Sequence, residues 1–318
     1  KMSGEVEPAS ELTPELRAFV EFVAKKGREL YRDLPWRRTY DPYAIWISEV
    51  MLQQTQVSRV DGRWQRWLER FPTVDALAVA APSDVLEEWQ GLGYNRRALS
   101  VHRAAQAISE AGGIFPQDPK ELVKLPGIGP ATAAGIRAFA FNLHGVYLET
   151  NVRTVFLHEL YPQAEGVPDS ELVPLVELTC PASVEDAADV ADAANVANAD
   201  STANADETEL TPRSWYYALL DYGAYLKKTI PNPSRRSKSH VKQSRFEGSH
   251  RQKRAELLRV LLAHKDEGGA VFETLHQELC QIEVNAGRET LDEQVTLGLL
   301  EELAKEGFCQ KNDEYWLP

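Results

Sequence analysis

Residues 125–135 read LPGIGPATAAG, a glycine turn that leads directly into an alanine-rich helix. Backbone N–H groups at a helix N-terminus carry partial positive charge, and Gly127 and Gly129 let a phosphate approach without a Cβ in the way. We therefore predict an anion-binding turn, with Thr132 as a further phosphate contact. On its own, such a turn more often simply connects two helices.

Two acidic residues lie on either side of this turn in the sequence. Glu49 lies in the string ISEVMLQQTQV next to Trp46, Val50 and Met51, and Glu149 follows the second helix of the turn. An apolar setting raises the pKa of a carboxyl group and keeps its proton available near neutral pH. The alternative for Glu49 is an ordinary glutamate on a helix surface.

The elements that position these residues are predicted to be helices. Across residues 14–163 apolar side chains recur at helical spacing, and no alternating strand pattern appears. Helices over 119–125 and 130–141 flank the turn, and Pro130 suits a first helical position. Thr150 or Asn151 is a candidate cap of the next helix, which leaves Glu149 at its N-terminal edge, where the helix dipole favours a carboxylate. The helical pattern resumes over 214–226.

Length and composition indicate a globular chain. The sequence has 318 residues, of which 43% are hydrophobic. There is no run of about 18 apolar residues, and the first residues, KMSGEVEP, lack the layout of a secretory signal. We expect a cytoplasmic protein that does not enter a membrane. Cys180, Cys280 and Cys309 lack Cys-x-x-Cys spacing, which favours reduced thiols over a disulfide or metal site.

Charge is distributed unevenly along the chain. The net charge is −13, but residues 165–209 hold twelve acidic residues and no Lys or Arg, and without that segment the net charge is −1. Between positions 227 and 254, ten Lys and Arg stand against one acidic residue, Glu247. This composition predicts a strip that faces phosphates, with Arg235, Arg236 and Lys238 as candidate contacts. The alternative is a solvated loop.

The remaining segments are assigned by composition and order. Residues 164–210 are predicted to be an acidic low-complexity insertion, mobile over 182–206, because they are poor in aromatic residues. Residues 252–318 predict helices over 255–264, 272–282 and 291–306, then a ribbon of strands 308–311 and 314–317 joined through Asn312 and Asp313. That order resembles a small winged-helix module. From 255 onward it holds 5 Lys and Arg against 14 Asp and Glu, which favours packing or a protein partner over DNA.

From position 34 to about 226 the chain resembles the helix-hairpin-helix DNA glycosylases, and among them the MutY-type adenine glycosylases. Six blocks carry the resemblance in the family's order: LPWR at 34–37, DPYAIWISEVMLQQTQV at 41–57, FPTVDALA at 71–78, WQGLGYNRRA at 89–98, LPGIG at 125–129 and ETNVRTV at 149–155. The resemblance implies an all-α fold of two helical lobes. The glycosylase domain would comprise 14–163 and 211–251, after an N-terminal tail over 1–13.

The resemblance also implies catalytic roles. Glu49 would protonate a base that has been rotated out of the duplex. Cleavage of the N-glycosidic bond places positive charge on the sugar, which a second carboxylate stabilises. Glu149 stands where the family has aspartate, with Asn151 close by. Because the extra methylene moves a carboxylate by roughly 1.5 Å, and such a displacement can cost about 100-fold in rate, we expect the site to have readjusted.

Four residues are implied to act on the base or the duplex. Arg37 would line the base pocket, Gln53 and Gln54 would occupy the gap left by the extruded base, and Tyr94 would wedge into the stack. The alternatives are a core aromatic residue at Tyr94 and a solvated helix face for the two glutamines.

Two further comparisons with the family bear on strand cleavage and on a cofactor. Ala131 stands where bifunctional relatives carry the lysine that attacks the sugar, which favours excision without strand cleavage, although Lys124 lies close by in the sequence. The four cysteines of the family's iron–sulfur cluster are absent after position 226, so no cluster and no other metal cofactor is expected. A monovalent cation is a candidate ligand of the hairpin carbonyls.

We thus expect a monofunctional DNA glycosylase that excises adenine opposite guanine or 8-oxoguanine. Where the family usually has a larger reader domain for 8-oxoguanine, about 64 residues of winged-helix-like sequence follow in the sequence given. Two alternatives stay open: excision of hypoxanthine, uracil or mismatched thymine, and DNA binding with little turnover. The expected partner is double-stranded DNA with a mispaired or damaged base, bound by a monomer associated with the bacterial nucleoid.

Overall fold

The computed structural model describes residues 12–184 and 209–318, and its regular elements are almost all helical. The predicted all-α class is confirmed, and the helix after the glycine turn has the predicted bounds, Pro130–Phe141. The helices are Pro14–Glu29, Pro42–Leu52, Val57–Val60, Arg63–Arg70, Val74–Val79, Pro82–Trp89, Arg96–Glu110, Pro119–Leu122, Pro130–Phe141, Thr150–Leu160, Asp169–Thr179, Pro212–Thr229, His250–Ala263, Phe272–Asn285 and Glu293–Glu306. Single 3-10 turns occupy Pro35–Arg37, Pro233–Arg236 and Lys265–Glu267.

The described residues form two compact units. The first comprises 12–49, 116–124, 128–184 and 209–241, and the second comprises 50–115, 125–127 and 242–318. These units do not follow the predicted domain bounds, because the C-terminal residues group with 50–115.

The core of the first unit forms around the helix Pro212–Thr229. Trp215 and Tyr216 are fully buried on this helix, and Phe19 and Phe156 pack against each other with ring centroids 5.0 Å apart. Thr211 caps the helix by accepting a hydrogen bond from the N–H of Ser214, in a capping box that satisfies the first-turn donors. This capping box fixes the N-terminal end of the helix, which also carries Gly223 and Lys227.

The predicted acidic insertion begins with a folded helix. Asp169–Thr179 lies inside the predicted bounds 164–210, yet its Leu172 and Val176 are fully buried in the core of the first unit. The predicted insertion therefore contains a packed helix that its average composition did not indicate, and its bounds stay a prediction. The predicted mobile stretch 182–206 falls, from position 185 onward, outside the described residues, as do positions 1–11 of the predicted N-terminal tail.

The second unit has an aromatic core and a C-terminal module. Trp67 and Trp89 are fully buried and meet edge to face, with ring centroids 5.6 Å apart. The C-terminal residues are joined to this part of the unit by ion pairs. Nζ of Lys265 lies 2.7 Å from the carboxylate of Asp84 and 3.0 Å from that of Glu87.

The predicted C-terminal ribbon is present, and a third strand joins it. Strand Tyr315–Leu317 pairs antiparallel with Gln310–Asn312 on one side and with Ala270–Val271 on the other. The third strand was missed because two residues are too few to show an alternating pattern. The turn between the ribbon strands lies at Asp313 and Glu314, one position later than predicted, and Asp313 has a φ of 52°.

Candidate active site

Glu49 lies in the second half of the helix Pro42–Leu52, in the first unit. Its neighbours Trp46 and Ile47 are buried, whereas Glu49 itself is half-buried and so remains open to a ligand. The pKa of its carboxyl group is raised from 4.5 to about 7: burial raises it most, a hydrogen bond from Tyr147 lowers it, and the charge of Glu149 adds to the rise. The predicted apolar setting of Glu49 is therefore present, with the predicted effect on its proton.

Tyr147 is the partner of Glu49 that sequence reasoning missed. Its hydroxyl group donates a 2.8 Å hydrogen bond to Oε2 of Glu49, and its backbone N–H donates to the hydroxyl group of Tyr216 at 3.1 Å. Gly135, on the helix after the glycine turn, leaves room for this pair. A Cβ at position 135 would lie 2.6 Å from Oε2 of Glu49 and 2.9 Å from Cε2 of Tyr147.

Glu149 is the N-cap of the helix Thr150–Leu160. Its Oε1 accepts hydrogen bonds from the backbone N–H groups of Asn151 at 2.5 Å and Val152 at 2.9 Å. The expectation that Thr150 or Asn151 caps this helix was wrong, because the longer glutamate side chain folds back over its own first turn. Burial raises the pKa of Glu149, and the two N–H groups oppose this effect, as does the charge of Lys227.

Lys227 is a second residue that the sequence did not single out at this site. Its side chain is half-buried, and burial lowers its pKa while the negative charge of Glu149 raises it. It lies one turn after Gly223 on the helix Pro212–Thr229. Gly223 allows a close approach to the site, since a Cβ there would be 2.3 Å from the carbonyl oxygen of Asn151.

Asn151 lies in the first turn of the helix that Glu149 caps. Its backbone N–H serves Glu149, and its side-chain Oδ1 is buried with no hydrogen-bond partner among the residues that the structure describes. A buried acceptor without a partner is costly, and such atoms often bind a water molecule or a substrate group. The adjacent Arg153 is used within the fold, in a bidentate pair with Asp169 at 2.9 and 2.8 Å.

Arg37 is buried rather than displayed on a pocket wall. Its two terminal nitrogens donate to the carboxylate of Asp221 at 2.7 and 2.8 Å, and its guanidinium group lies 4.3 Å from the ring centroid of Tyr217. Only 6% of the residue is exposed. The positive charge of Arg37 lowers the pKa of Glu49. Because its terminal nitrogens are bonded to Asp221, Arg37 does not present them to a base, as the predicted contact would require.

The residues predicted to probe the duplex lie in the second unit. Gln54 and Tyr94 are exposed, and both have positive φ angles, 55° and 50°. Gln53 is half-buried, and its carbonyl oxygen accepts a 2.5 Å hydrogen bond from Arg97. The prediction of a core aromatic residue at Tyr94, weighed as the alternative, does not fit a ring that is 38% exposed.

The glycine turn has two different glycines. Gly127 has a φ of 76°, and a Cβ there would lie 2.7 Å from Cβ of Ser100, so both conformation and space require glycine. Gly129 caps the helix Pro130–Phe141, and a Cβ on it would meet no atom within 4 Å. Thr132 was predicted to contact a phosphate, but only 7% of the residue is exposed, so its side chain is not accessible to one.

The basic strip divides into exposed and structural residues. Arg235 and Lys238 are exposed, as predicted for phosphate contacts. Arg236 instead donates to backbone carbonyls, of Leu157 at 3.1 Å and of Tyr161. Because its guanidinium group is engaged at the end of the helix Thr150–Leu160, Arg236 is not available for a phosphate.

Within the described ranges, no group of three or more His, Cys, Asp or Glu is arranged to hold a metal ion, and the three cysteines are free thiols. The expectation that the chain carries no iron–sulfur cluster stays a prediction, as does the cation at the hairpin. In the same ranges, no helix has the length and apolar character that crossing a bilayer requires.

Comparison with known proteins places these features in a family. The adenine DNA glycosylase of Mycolicibacterium smegmatis is 45% identical over 136 residues, which are 42% of this chain and 46% of that protein. The adenine DNA glycosylase of Buchnera aphidicola subsp. Baizongia pistaciae is 41% identical over 127 residues, which are 40% of this chain and 36% of that protein. The chain thus spans less than half the length of these curated relatives.

A structural comparison supports the fold. The structure of a thermostable thymine-DNA glycosylase superposes with a TM-score of 0.53 at 20% identity, over 69% of this chain and 90% of that one. Residues 47–208 match the description "HhH-GPD superfamily base excision DNA repair protein", and this region includes Glu49, the glycine turn and Glu149. The chain therefore belongs to the HhH-GPD superfamily of base excision DNA repair proteins.

Proposed function

We propose that the chain is a DNA N-glycosylase that removes adenine from a mispair with guanine or 8-oxoguanine and leaves an abasic site. One observation carries the proposal: Glu49 is a half-buried carboxyl group with a pKa of about 7, electrostatically coupled to the second carboxylate, Glu149. Burial dominates at Glu49, whereas Glu149 accepts two backbone N–H groups and lies near the charge of Lys227, which favour its ionised form, so the two can serve as acid and as ionised stabiliser. The names of the curated relatives support adenine as the base.

The reaction follows from the chemistry of the two groups. Protonated Glu49 donates its proton to a ring nitrogen of the extruded base, and the bond from C1′ to the base breaks with its electron pair going to the base. The positive charge on the sugar is stabilised by ionised Glu149. A water molecule then adds its oxygen to C1′ and releases a proton, which passes to ionised Glu49, so Glu49 is again protonated, Glu149 is again ionised and the enzyme is regenerated.

The same proposal assigns the contacts to DNA. Gly129 and the exposed Arg235 and Lys238 would hold phosphates, and Gln54 and Tyr94 would act where the base has left the stack. Ala131 offers no amine at the hairpin, and Lys124 is paired with Glu121 at 2.6 Å. Excision without strand cleavage is therefore proposed, by a monomer acting on nucleoid DNA in the bacterial cytoplasm. The acidic C-terminal module would serve packing or a protein partner.

The test is single-turnover release of free base, with protein in excess over DNA. The duplexes carry adenine opposite guanine, adenine opposite 8-oxoguanine, thymine opposite guanine, uracil, or hypoxanthine. We expect adenine to be released, heating in alkali to break the strand at the abasic site, and Glu49→Gln to abolish release while duplex binding remains. Glu21→Gln, on an exposed position of the helix Pro14–Glu29, is the matched control and should keep the full rate.

Two outcomes would overturn the proposal. Faster release of hypoxanthine, uracil or thymine than of adenine would replace the substrate. Duplex binding with no release of any base would leave a DNA-binding protein without glycosylase activity.

A further inference from the structure

Gln243 lies in the exposed segment 242–248, which the sequence marked only as part of a basic strip. Its Nε2 donates to the hydroxyl oxygen of Tyr94 at 2.6 Å and to Oε1 of Gln54 at 3.0 Å. One amide group thus connects two residues that lie 40 positions apart in the sequence, and all three are in the second unit. We call this pair of contacts the Gln243 bridge.

The two residues held by the bridge have unfavourable backbone conformations. Gln54 and Tyr94 are non-glycine residues in the left-handed region, with φ angles of 55° and 50°. Such conformations are uncommon for a bulky residue and persist only where the surroundings enforce them. The geometry here is enforced at the backbone and again at the side chains.

Arg97 enforces the backbone. Its guanidinium group donates to the carbonyl oxygens of Val50 at 2.6 Å and Gln53 at 2.5 Å, and to those of Leu92 at 3.2 Å and Gly93 at 3.0 Å. A single half-buried cation therefore joins the two turns that carry Gln54 and Tyr94. Burial lowers its pKa to about 10, so it remains charged at neutral pH. Arg97 thus fixes the backbone of the two turns, and the Gln243 bridge fixes the tips of the Gln54 and Tyr94 side chains.

The surroundings of the bridge suit nucleic acid. The guanidinium group of Arg251 lies 5.7 Å from the ring centroid of Tyr94 and 5.3 Å from that of Phe246. Phe246 is 43% exposed. Unpaired bases stack on exposed aromatic rings, and neighbouring guanidinium groups add to the attraction. The bridge is thus part of an exposed surface with amide, aromatic and cationic groups.

We propose that Gln243 is a positioning residue for opening the duplex: it holds Tyr94 and Gln54 in the orientation in which they enter the base stack. The inference rests on the part of the proposed function in which these two residues contact DNA. Without the bridge, each side chain must be ordered during binding, and the cost per ordered side chain corresponds to about a threefold to tenfold loss of the opened complex. The catalytic carboxyl groups are not involved.

The experiment measures base unstacking apart from base release. A duplex carries 2-aminopurine next to the target adenine, and its fluorescence rises when the target base leaves the stack. The proteins are Gln243→Met, which keeps the length of the side chain but cannot bridge, Tyr94→Phe, which removes the hydroxyl group, and the double variant. All carry Glu49→Gln so that no turnover occurs. Gln281→Ala, on the exposed face of the helix Phe272–Asn285, is the matched control.

We expect Gln243→Met and Tyr94→Phe each to lower the equilibrium constant for opening by about threefold to tenfold. The double variant should be no more than about twofold worse than Gln243→Met, because both changes remove the same contact. Thermal unfolding should be the same for all variants, since Gln243 is exposed. In the catalytically competent protein, Gln243→Met should slow base release by the same factor without moving its pH profile.

Two results would overturn the inference: opening by Gln243→Met equal to that by Gln281→Ala, or losses that multiply in the double variant. Failure of the proposed function is separate. Suppose the protein with Glu49 intact releases no base, while the fluorescence of the single and double variants shows the expected non-additive losses. The positioning role then holds and the glycosylase proposal fails.

Discussion

The hydroxyl group of Tyr147 donates a 2.8 Å hydrogen bond to Oε2 of Glu49, the carboxyl group whose pKa is raised to about 7. This bond stabilises the ionised form of Glu49, whereas burial and the charge of Glu149 stabilise the protonated form. Opposing influences thus set the protonation of Glu49, and two of them, the Tyr147 hydroxyl group and the Glu149 charge, can be removed by substitution.

The effect of Tyr147→Phe follows from the direction of its contribution. Without the hydroxyl group, ionised Glu49 loses a donor, so its pKa rises further and the protonated acid persists to higher pH. The alkaline limb of the single-turnover rate should move upward by up to about one pH unit. Tyr225→Phe, at an exposed position of the helix Pro212–Thr229, should leave the limb unchanged. A limb that moves to lower pH would contradict the assignment.

Charge and capping at Glu149 can be separated. Glu149→Gln keeps an oxygen that accepts from the N–H groups of Asn151 and Val152, but it removes the negative charge beside the sugar. We expect the single-turnover rate to fall by about 100-fold or more, with little change in melting temperature. Glu149→Asp keeps the charge and, because aspartate is a good N-cap, should keep the melting temperature; its rate should lie between those of the Gln variant and the unchanged protein, since the shorter side chain displaces the carboxylate by roughly 1.5 Å. A Gln variant that retains the full rate would show that the charge is not used.

The two glycines of the turn should fail in different ways. Gly129→Ala adds a Cβ that meets no atom of the protein within 4 Å, so stability should be unchanged. Duplex affinity should fall by about tenfold if a phosphate approaches there. Gly127→Ala should instead lower the free energy of unfolding by about 1 kcal/mol or more, because its φ is 76° and Ser100 occupies the space. Equal duplex affinity of Gly129→Ala and the unchanged protein would remove the turn from the DNA contacts.

The buried ion pair between Arg37 and Asp221 should contribute strongly to stability. Asp221 accepts two hydrogen bonds from Arg37 and one of 2.5 Å from Nε of Arg32, with its side chain fully buried. Removing one partner of a buried pair leaves an uncompensated charge, so Asp221→Ala should lower the free energy of unfolding by about 3–5 kcal/mol. Asp33→Ala breaks an exposed pair with Arg38 and should change it by less than about 1 kcal/mol. Denaturant unfolding of both variants checks this difference, which similar losses would contradict.

Local sequence signals predicted the helices and the raised pKa of Glu49. Helical spacing and Pro130 were enough for the bounds of Pro130–Phe141, because Pro at the first position and an apolar face are properties of adjacent residues. The setting of Glu49 was equally local, since its apolar neighbours lie on its own helix. Its pKa could therefore be predicted in direction from the sequence.

Contacts between distant segments could not be predicted in this way. Tyr147 lies 98 positions from Glu49, and Gln243 lies 149 positions from Tyr94, so no spacing rule connects them. The prediction for Arg236 was wrong for the same reason: the basic composition of the strip suggested phosphate binding, whereas the carbonyl groups that Arg236 binds belong to another helix. Glu149 shows a subtler limit: cap preferences favour shorter side chains, and only the folded backbone shows that the glutamate caps its own helix.

The most direct test of this account is a pH titration of the Glu49 carboxyl carbon by ¹³C NMR in protein labelled at glutamate. The signal is assigned by its loss in Glu49→Gln. The account predicts a titration midpoint of about 7, well above the ordinary value of 4.5. A midpoint near 4.5 would mean that Glu49 is ionised at neutral pH, and it would contradict the role of this residue as the acid that donates a proton to the leaving base.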